Sequence, residues 1–217
     1  YAFAYNMLSL VTVATSAIST VLYPILKRTT KESLKKNYSD LISIMLVFVY
    51  GALIMYFPLC AFIRWFLPKY TDSLIIFRVI FPGLAISSSI TVVMHNYYKT
   101  LGDNTRYFKK SILILLLSAA ANEVAYIIFK STVSISVASI VTMIVWYLYV
   151  EQYFVHNYGY SRWRNILYML LMMGYFYGIT CIENWIVSGL LYVVGYGVIT
   201  LLVKRETIHS AKSFLKK

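Results

Sequence analysis

Charged residues and cysteine are scarce in this chain. Among 217 residues only eight are acidic and 13% are charged, whereas a soluble domain carries about a quarter charged residues. This composition argues against a water-soluble globule. Two cysteines, Cys60 and Cys181, are too few for a disulfide framework or a cysteine-based metal site. The sequence also lacks paired carboxylates, a nucleophile elbow and a phosphate-binding loop, so we expect no enzyme, no metal and no cofactor.

Apolar residues dominate instead. They make up 60% of the chain, and the mean hydropathy is +0.69. Since a helix needs about 20 apolar residues to cross the hydrocarbon core, the sequence predicts an all-α, polytopic membrane helical bundle. The seven predicted spans are 1–23, 41–63, 73–98, 111–129, 133–154, 165–182 and 184–203.

The basic residues predict the orientation of this bundle. Sixteen of the 20 Lys and Arg residues lie in the first, third and fifth connections and in the tail 204–217. The alternate connections hold only Arg64, Lys69 and Lys130. Because cytoplasmic loops carry the excess of Lys and Arg, we expect the N-terminal end outside and a basic cytoplasmic tail on the anionic leaflet. This placement of charge favours membrane lipids as partners and argues against nucleic acid.

Two opposite charges lie inside predicted spans at nearly the same depth. Arg78 lies about 8 Å and Glu123 about 9 Å from the outer boundary, at a rise of about 1.5 Å per residue. Each alone costs about 3 kcal/mol or more in hydrocarbon. One hypothesis is that Arg78 faces a wet cavity and binds an anionic headgroup, with Glu123 as its partner or gate. The other is that Arg78 snorkels outward and the pair only clamps two helices.

The first span carries a weakly polar face. Ser9, Thr12 and Ser16 recur every three or four residues, with Asn6 nearby. Such a face is typical of a hydrated pathway, and it is equally typical of close helix contacts in lipid. Both interpretations stay open at this point.

The third span carries a predicted hinge. Pro82 and Gly83 interrupt it near mid-membrane, and freed backbone groups there need a cavity or a neighbouring helix. A static kink is the alternative. Near the cytoplasmic end of the same span, Asn96 is a candidate contact for a polar headgroup, with interfacial solvation as the alternative.

A small-residue motif lies in the sixth span. Gly174 and Gly178 form a GxxxG pair, which is typical of a closely packed helix interface in membranes. The seventh span, with Gly189, Gly195 and Gly197, is its expected partner.

Several short motifs, taken in order, resemble a known family. The pattern resembles the C-terminal half of polysaccharide (O-antigen or capsule repeat-unit) flippases of the multidrug/oligosaccharidyl-lipid/polysaccharide exporter superfamily. The motifs that carry the resemblance are Tyr5-Asn6 opening a Ser/Thr/Ala-rich span, Tyr23-Pro24 closing it, the Leu67-Pro68-Lys69-Tyr70 loop, Asn96-Tyr97-Tyr98, and Leu101-Gly102-Asp103-Asn104.

The resemblance implies a fold and a substrate. It implies two six-helix lobes around a central cavity, with these spans as helices 8 to 14 and an N-terminal lobe upstream in the same chain. The implied substrate is an undecaprenyl-diphosphate-linked oligosaccharide at the bacterial inner membrane, and Arg78 is the one residue carried over, as a cation for the diphosphate. The chain departs from the family in lacking a Gly-Ala turn at 130–136 and in carrying Glu123.

Two other functions remain open. A drug or metabolite antiporter of the same superfamily would use Glu123 as its cation-coupled acid. A seven-helix receptor or structural membrane subunit also fits the predicted orientation and number of spans.

Overall fold

The computed structural model describes the backbone of residues 2–205, and all their side chains except those of residues 2–5, 7, 8, 10, 11 and 14. Within this part all regular structure is helical and no strand occurs. The all-α prediction is therefore confirmed. Most of the predicted tail, 206–217, lies outside the described residues.

Ten α-helices follow one another in the described chain. A 3-10 turn over Leu53–Met55 joins the second helix to the third, and a π-helical stretch over Ser89–Met94 joins the fifth to the sixth. The helices are α1 (Ala2–Arg28), α2 (Lys31–Ala52), α3 (Tyr56–Phe66), α4 (Ser73–Ile80), α5 (Gly83–Ser88), α6 (His95–Thr100), α7 (Asn104–Phe129), α8 (Thr132–Tyr158), α9 (Trp163–Ile179) and α10 (Trp185–Val203).

Local sequence explains where several helices begin and end. Asn184 precedes α10, and its side-chain oxygen accepts a hydrogen bond from the backbone N–H of Ile186 at 3.0 Å, which caps the free amides of the first turn. Gly159 follows α8 with φ +67°, and Gly102 follows α6 with φ +78°. Glycine adopts this left-handed backbone without steric cost, so both helices stop at these positions.

Four described helical segments are long and apolar enough to cross a membrane. They are Lys31–Phe66, Asn104–Phe129, Thr132–Tyr158 and Trp185–Val203, and Ser73–Ile80 with Gly83–Thr100 gives a fifth if this bent pair is one span. These helices indicate a membrane-embedded protein. The predicted count of seven is not confirmed, since α1 is not among them and α9 has 17 residues, fewer than the roughly 20 that a hydrocarbon core requires.

Two aromatic clusters hold the bundle together. In the first, the centroid of the Phe154 ring lies 4.3 Å from the ring centroid of Tyr38 and 5.0 Å from that of Tyr98. In the second, Phe176 lies 5.0 Å from Tyr56. The clusters join α8 to α2 and α6, and α9 to α3, so they place the α2–α3 segment at the centre of the fold.

Tyrosine hydroxyls cross-link the central helix to its neighbours. Tyr192 donates to the backbone oxygen of Tyr50 at 2.7 Å, and Tyr196 donates to that of Val47 at 2.9 Å. Tyr50 in turn donates to the backbone oxygen of Met169 at 3.2 Å. Because lipid tails are as apolar as the helix surfaces, such polar contacts contribute to helix association where hydrophobic burial does not.

The GxxxG prediction names the right pair of helices but the wrong glycines on α9. A methyl group built at Gly174 or Gly178 meets no atom within 4 Å, so this pair does not face another described helix. Helices α9 and α10 do pack together, but the close approach lies at Gly195. There the ring of Tyr175 covers the glycine directly, and its hydroxyl donates to the backbone oxygen of Leu191 at 2.6 Å.

Replacing Gly195 by alanine is expected to loosen this contact. The added methyl group would overlap the Tyr175 ring, and overpacking of this kind costs about 1–3 kcal/mol. Gly197→Ala is the matched control, because nothing lies within 4 Å of its added methyl group. Reversible unfolding of the purified protein in mixed micelles measures both. Equal stabilities for the two variants would contradict the packing described here.

Candidate binding cleft

A cleft of about 770 Å³ opens between α1, α4, α5, α7 and α8. Its walls are mainly apolar and include Leu84, Ile112 and Met143. Polar side chains are set among them, mostly on α7 and α8. The polar lining on α5, α7 and α8 consists of Ser87, Ser111, Ser118, Asn122, Ser139 and Thr142.

Hydroxyl and amide groups join α7 to α8 along this cleft. The hydroxyls of Ser118 and Thr142 lie 3.2 Å apart, and Ser139 donates to the side-chain oxygen of Asn122 at 3.2 Å. Thr142 also donates to the backbone oxygen of Ser139 at 3.0 Å. These side chains are hydrogen-bonded within the protein, and they also line the cleft. Ser118, Asn122, Ser139 and Thr142 thus form a polar track along an otherwise apolar wall.

Trp146 adds a donor to the cleft wall. Its indole Nε1–H is shielded from solvent and makes no hydrogen bond with any described residue. An indole nitrogen only donates, and a buried donor without an acceptor costs about 1–3 kcal/mol. Trp146 lines the cleft, so an oxygen of a ligand that displaces the atoms covering the indole nitrogen is a suitable acceptor for this group.

The polar face of α1 divides between the two roles that the sequence left open. Ser9 and Thr12 line the cleft. Ser16 does not, and its hydroxyl donates to the backbone oxygen of Thr12 at 2.8 Å. Asn6 is exposed and lies outside the cleft lining, with its backbone oxygen accepting from Ser9 at 2.6 Å.

Asn96 makes a structural contact. It is 4% exposed, and its side-chain nitrogen donates to the hydroxyl of Ser19 at 2.8 Å and to the backbone oxygen of Val92 at 2.8 Å. It therefore ties α6 to α1, and it does not line the cleft. On the polar face of α1, Ser19 therefore contributes to helix packing, while Ser9 and Thr12 line the cleft.

The helix is broken at the predicted hinge. The segments before and after Phe81-Pro82 meet at a bend of 44°, and Gly83 lines the cleft. A methyl group at Gly83 would approach Ile140 Cδ1 to 2.7 Å, so glycine allows α8 to pack closely at the break. Movement at Pro82 and Gly83 stays a prediction.

Arg78 and Glu123 do not meet. Among the described residues the only ion pair joins Arg106 to Asp103, at 3.8 Å, so the predicted clamp between Arg78 and Glu123 is absent. Glu123 is exposed on α7. Arg78 is half-buried and interacts electrostatically with the phenols of Tyr56 and Tyr177. Neither residue lines the cleft. Arg78 and Glu123 therefore do not share a site among the described residues.

The structure reveals two buried charged residues, Glu151 and Lys204, that the sequence predictions missed. Glu151 lies inside the predicted span 133–154 and is 0% exposed. Lys204, which was assigned to the basic tail, is 1% exposed. The signal for Glu151 was present in the sequence, since an acid within an apolar span is a functional candidate. Nothing in the local sequence distinguished Lys204 from the other bases of the tail.

Known proteins give no further guide to this site. No family model, no curated protein and no solved structure matches the chain. The all-helical fold, the apolar helices and the cleft are therefore the observations on which a function has to be built.

Proposed function

We propose that this chain is the C-terminal lobe of a flippase that carries lipid-linked oligosaccharide repeat units across the bacterial inner membrane for cell-surface polysaccharide synthesis. The cleft is the observation that carries the proposal, because its apolar walls enclose a track of hydroxyl and amide groups. A lipid-linked glycan has the same two kinds of surface, an apolar tail and a hydroxyl-rich headgroup. The sequence resemblance described above supports the same class.

The proposed mechanism is alternating access. A second lobe of the same protein would cover the open side of the cleft, and rocking of the lobes would expose it to each side of the membrane in turn. The headgroup crosses along the polar track while the lipid tail stays in the bilayer. In this proposal the chain has seven spans, with its N-terminal end outside and its C-terminus cytoplasmic, as the distribution of Lys and Arg supports.

Trp146→Phe tests the cleft as the path of the headgroup. The variant removes the indole donor while keeping an aromatic ring, so a lost hydrogen bond to substrate is expected to slow flipping about tenfold, equivalent to about 1.4 kcal/mol. The assay uses the full-length protein in proteoliposomes with a labelled undecaprenyl-diphosphate oligosaccharide. Trp163→Phe is the control, because Trp163 is 70% exposed at the start of α9. Equal rates for wild type and Trp146→Phe would overturn this path.

The same assay decides the role of Arg78. In the proposal Arg78 is the cation that offsets the desolvation of the diphosphate, although it lies outside the cleft lining. An Arg78→Ala variant that inserts normally and flips substrate at the wild-type rate would remove Arg78 from the mechanism. The cleft proposal would then rest on Trp146 and the polar track alone.

A cation-coupled antiporter of the same superfamily is the second candidate. The buried carboxyl of Glu151 favours it, because an intramembrane acid is the usual coupling group of such transporters. Glu123, which the sequence suggested for this role, is exposed. Loss of gradient-driven drug efflux in Glu151→Gln, with no flipping of lipid-linked glycan in the wild type, would favour the antiporter.

A further inference from the structure

Glu151 on α8 is fully buried among tyrosines, one of which is Tyr38 of α2. Its Oε1 accepts hydrogen bonds from the hydroxyls of Tyr147, at 2.9 Å, and of Tyr160. Its Oε2 is shielded from solvent and makes no hydrogen bond with the described residues. The ring of Tyr38 lies 5.2 Å from that of Tyr160, and its phenol interacts electrostatically with both Tyr160 and Glu151. The carboxyl is therefore only half satisfied.

No cation of the described residues forms an ion pair with this carboxyl, since their one ion pair lies elsewhere. Arg162 and Lys204 act on Glu151 only through longer-range electrostatics. An ionised carboxylate that is fully buried without contact pairing is costly, and such groups usually neutralise. A proton on Oε2 removes the cost of the buried charge.

The positive charge of Lys204 favours the ionised form of Glu151. Its ammonium donates to the hydroxyl of Ser43 at 2.9 Å and to the side-chain oxygen of Asn165. Burial first, and then the nearby Arg164, lower the pKa of Lys204 to about 8, so at neutral pH it still carries most of its charge. A fixed positive charge at intermediate distance favours release of the Glu151 proton without forming a permanent pair with the carboxylate.

The titratable and charged groups around Glu151 and Lys204 lie on α2, α8, the α8–α9 connection, α9 and the end of α10. Burial, with Glu151 second, raises the pKa of Tyr160, so this phenol stays protonated and donates to the carboxyl. Asp40 acts on Lys204 from α2 and partly offsets Arg164. The groups that face Glu151 are Tyr38 from α2, Tyr147 from α8 itself, Tyr160 and Arg162 from the α8–α9 connection, and Lys204 from the end of α10.

Helix α8 connects this carboxyl to the cleft. Met143 and Trp146 on α8 line the cleft, and Tyr147 and Glu151, within the next five residues of the same helix, are fully buried. A change in the hydrogen bonds of Glu151 therefore acts on the helix that carries the cleft wall.

We propose that Glu151 is a proton-binding site, and that binding of one proton at Oε2 changes the packing of α8 against α2 and with it the environment of Trp146 in the cleft. The proton comes from water: a hydronium ion and the carboxylate give the neutral acid and water, and release reverses this. The site is independent of the transported substrate, so it stands or falls separately from the flippase proposal.

Infrared difference spectroscopy of the full-length protein in lipid tests the site. A protonated-carboxyl band is expected at about pH 6, well above the value of about 4.3 at which an exposed glutamate titrates. The band should vanish in Glu151→Gln and persist in Glu123→Gln, whose carboxyl is exposed. If the wild type shows no such band at about pH 6, or if Glu151→Gln keeps it, the proposal is overturned.

Tyr160→Phe supplies a second variant in case Glu151→Gln fails to fold. It removes a hydrogen bond that stabilises the carboxylate, so the band should titrate about one pH unit higher. An unchanged or lower midpoint would contradict the assignment of the band to Glu151.

Tryptophan fluorescence tests the coupling to the cleft. In a Trp65→Phe, Trp163→Phe, Trp185→Phe background, Trp146 is the only tryptophan left in residues 1–217, and any tryptophan upstream of them is replaced by phenylalanine as well. Its emission should shift as the infrared band titrates, and the shift should be lost with Glu151→Gln and kept with Glu123→Gln. A titrating band without a change in Trp146 emission would show that proton binding does not reach the cleft, and this would overturn the proposed coupling.

Discussion

Replacing Phe154 by alanine is expected to lower the free energy of unfolding by about 3–5 kcal/mol, the usual cost of removing a buried aromatic side chain. Phe154 is 0% exposed, and its ring contacts those of Tyr38, Tyr98 and Tyr153. The cavity left behind would lie where α2, α6 and α8 meet, so the surrounding rings have little freedom to fill it. Reversible unfolding in mixed micelles measures the loss.

Phe129→Ala is the matched control for this prediction. Phe129 ends α7 and is 67% exposed, so its removal is expected to change stability by no more than about 0.5 kcal/mol. If both variants lose the same stability, the cluster around Phe154 does not hold the fold as described. A loss below about 1 kcal/mol for Phe154→Ala would also contradict it.

Replacing Ser118 by tryptophan is expected to block the cleft and to reduce flipping about a hundredfold, equivalent to about 2.7 kcal/mol in the rate-limiting barrier. Ser118 lies 3.2 Å from Thr142 across the α7–α8 contact and lines the cleft, so a bulky indole there occupies the polar track. The proteoliposome assay with labelled lipid-linked oligosaccharide measures the rate.

Leu116→Trp places the same side chain on the other side of the same helix. Leu116 is 64% exposed on α7, and flipping is expected to continue at the wild-type rate. Should Ser118→Trp lose stability, Ser118→Leu gives a smaller obstruction and an intermediate rate. Wild-type flipping by a stable Ser118→Trp variant would rule out this cleft as the path.

The positions of the two intramembrane charges illustrate how far sequence reasoning reaches. Depth follows from counting residues along a helix, because each adds about 1.5 Å, and this placed Arg78 and Glu123 at similar levels. Direction around the helix axis depends on which neighbours the helix packs against. Arg78 interacts with Tyr56 and Tyr177, whereas Glu123 is exposed on α7, and no count of residues gives that difference.

The small and polar residues show the same limit. The sequence predicted a polar face on α1, yet only Ser9 and Thr12 reach the cleft, while Asn96 ties α6 to α1 through Ser19. It also predicted a tight glycine contact, which lies at Gly195 and not at Gly174. A motif shows which contacts a helix face can make, and whether it makes them depends on the position of the neighbouring helix.

The sequence by itself determined that this protein is all-helical and rich in membrane-length apolar segments, because helix formation and apolar length are local properties read from neighbouring residues. Only the tertiary structure decided that α1, α4, α5, α7 and α8 enclose a cleft, and that Glu151 and Lys204 are buried near each other. These two residues lie far apart in sequence, and their proximity depends on how α8, α9 and α10 rotate and pack around α2.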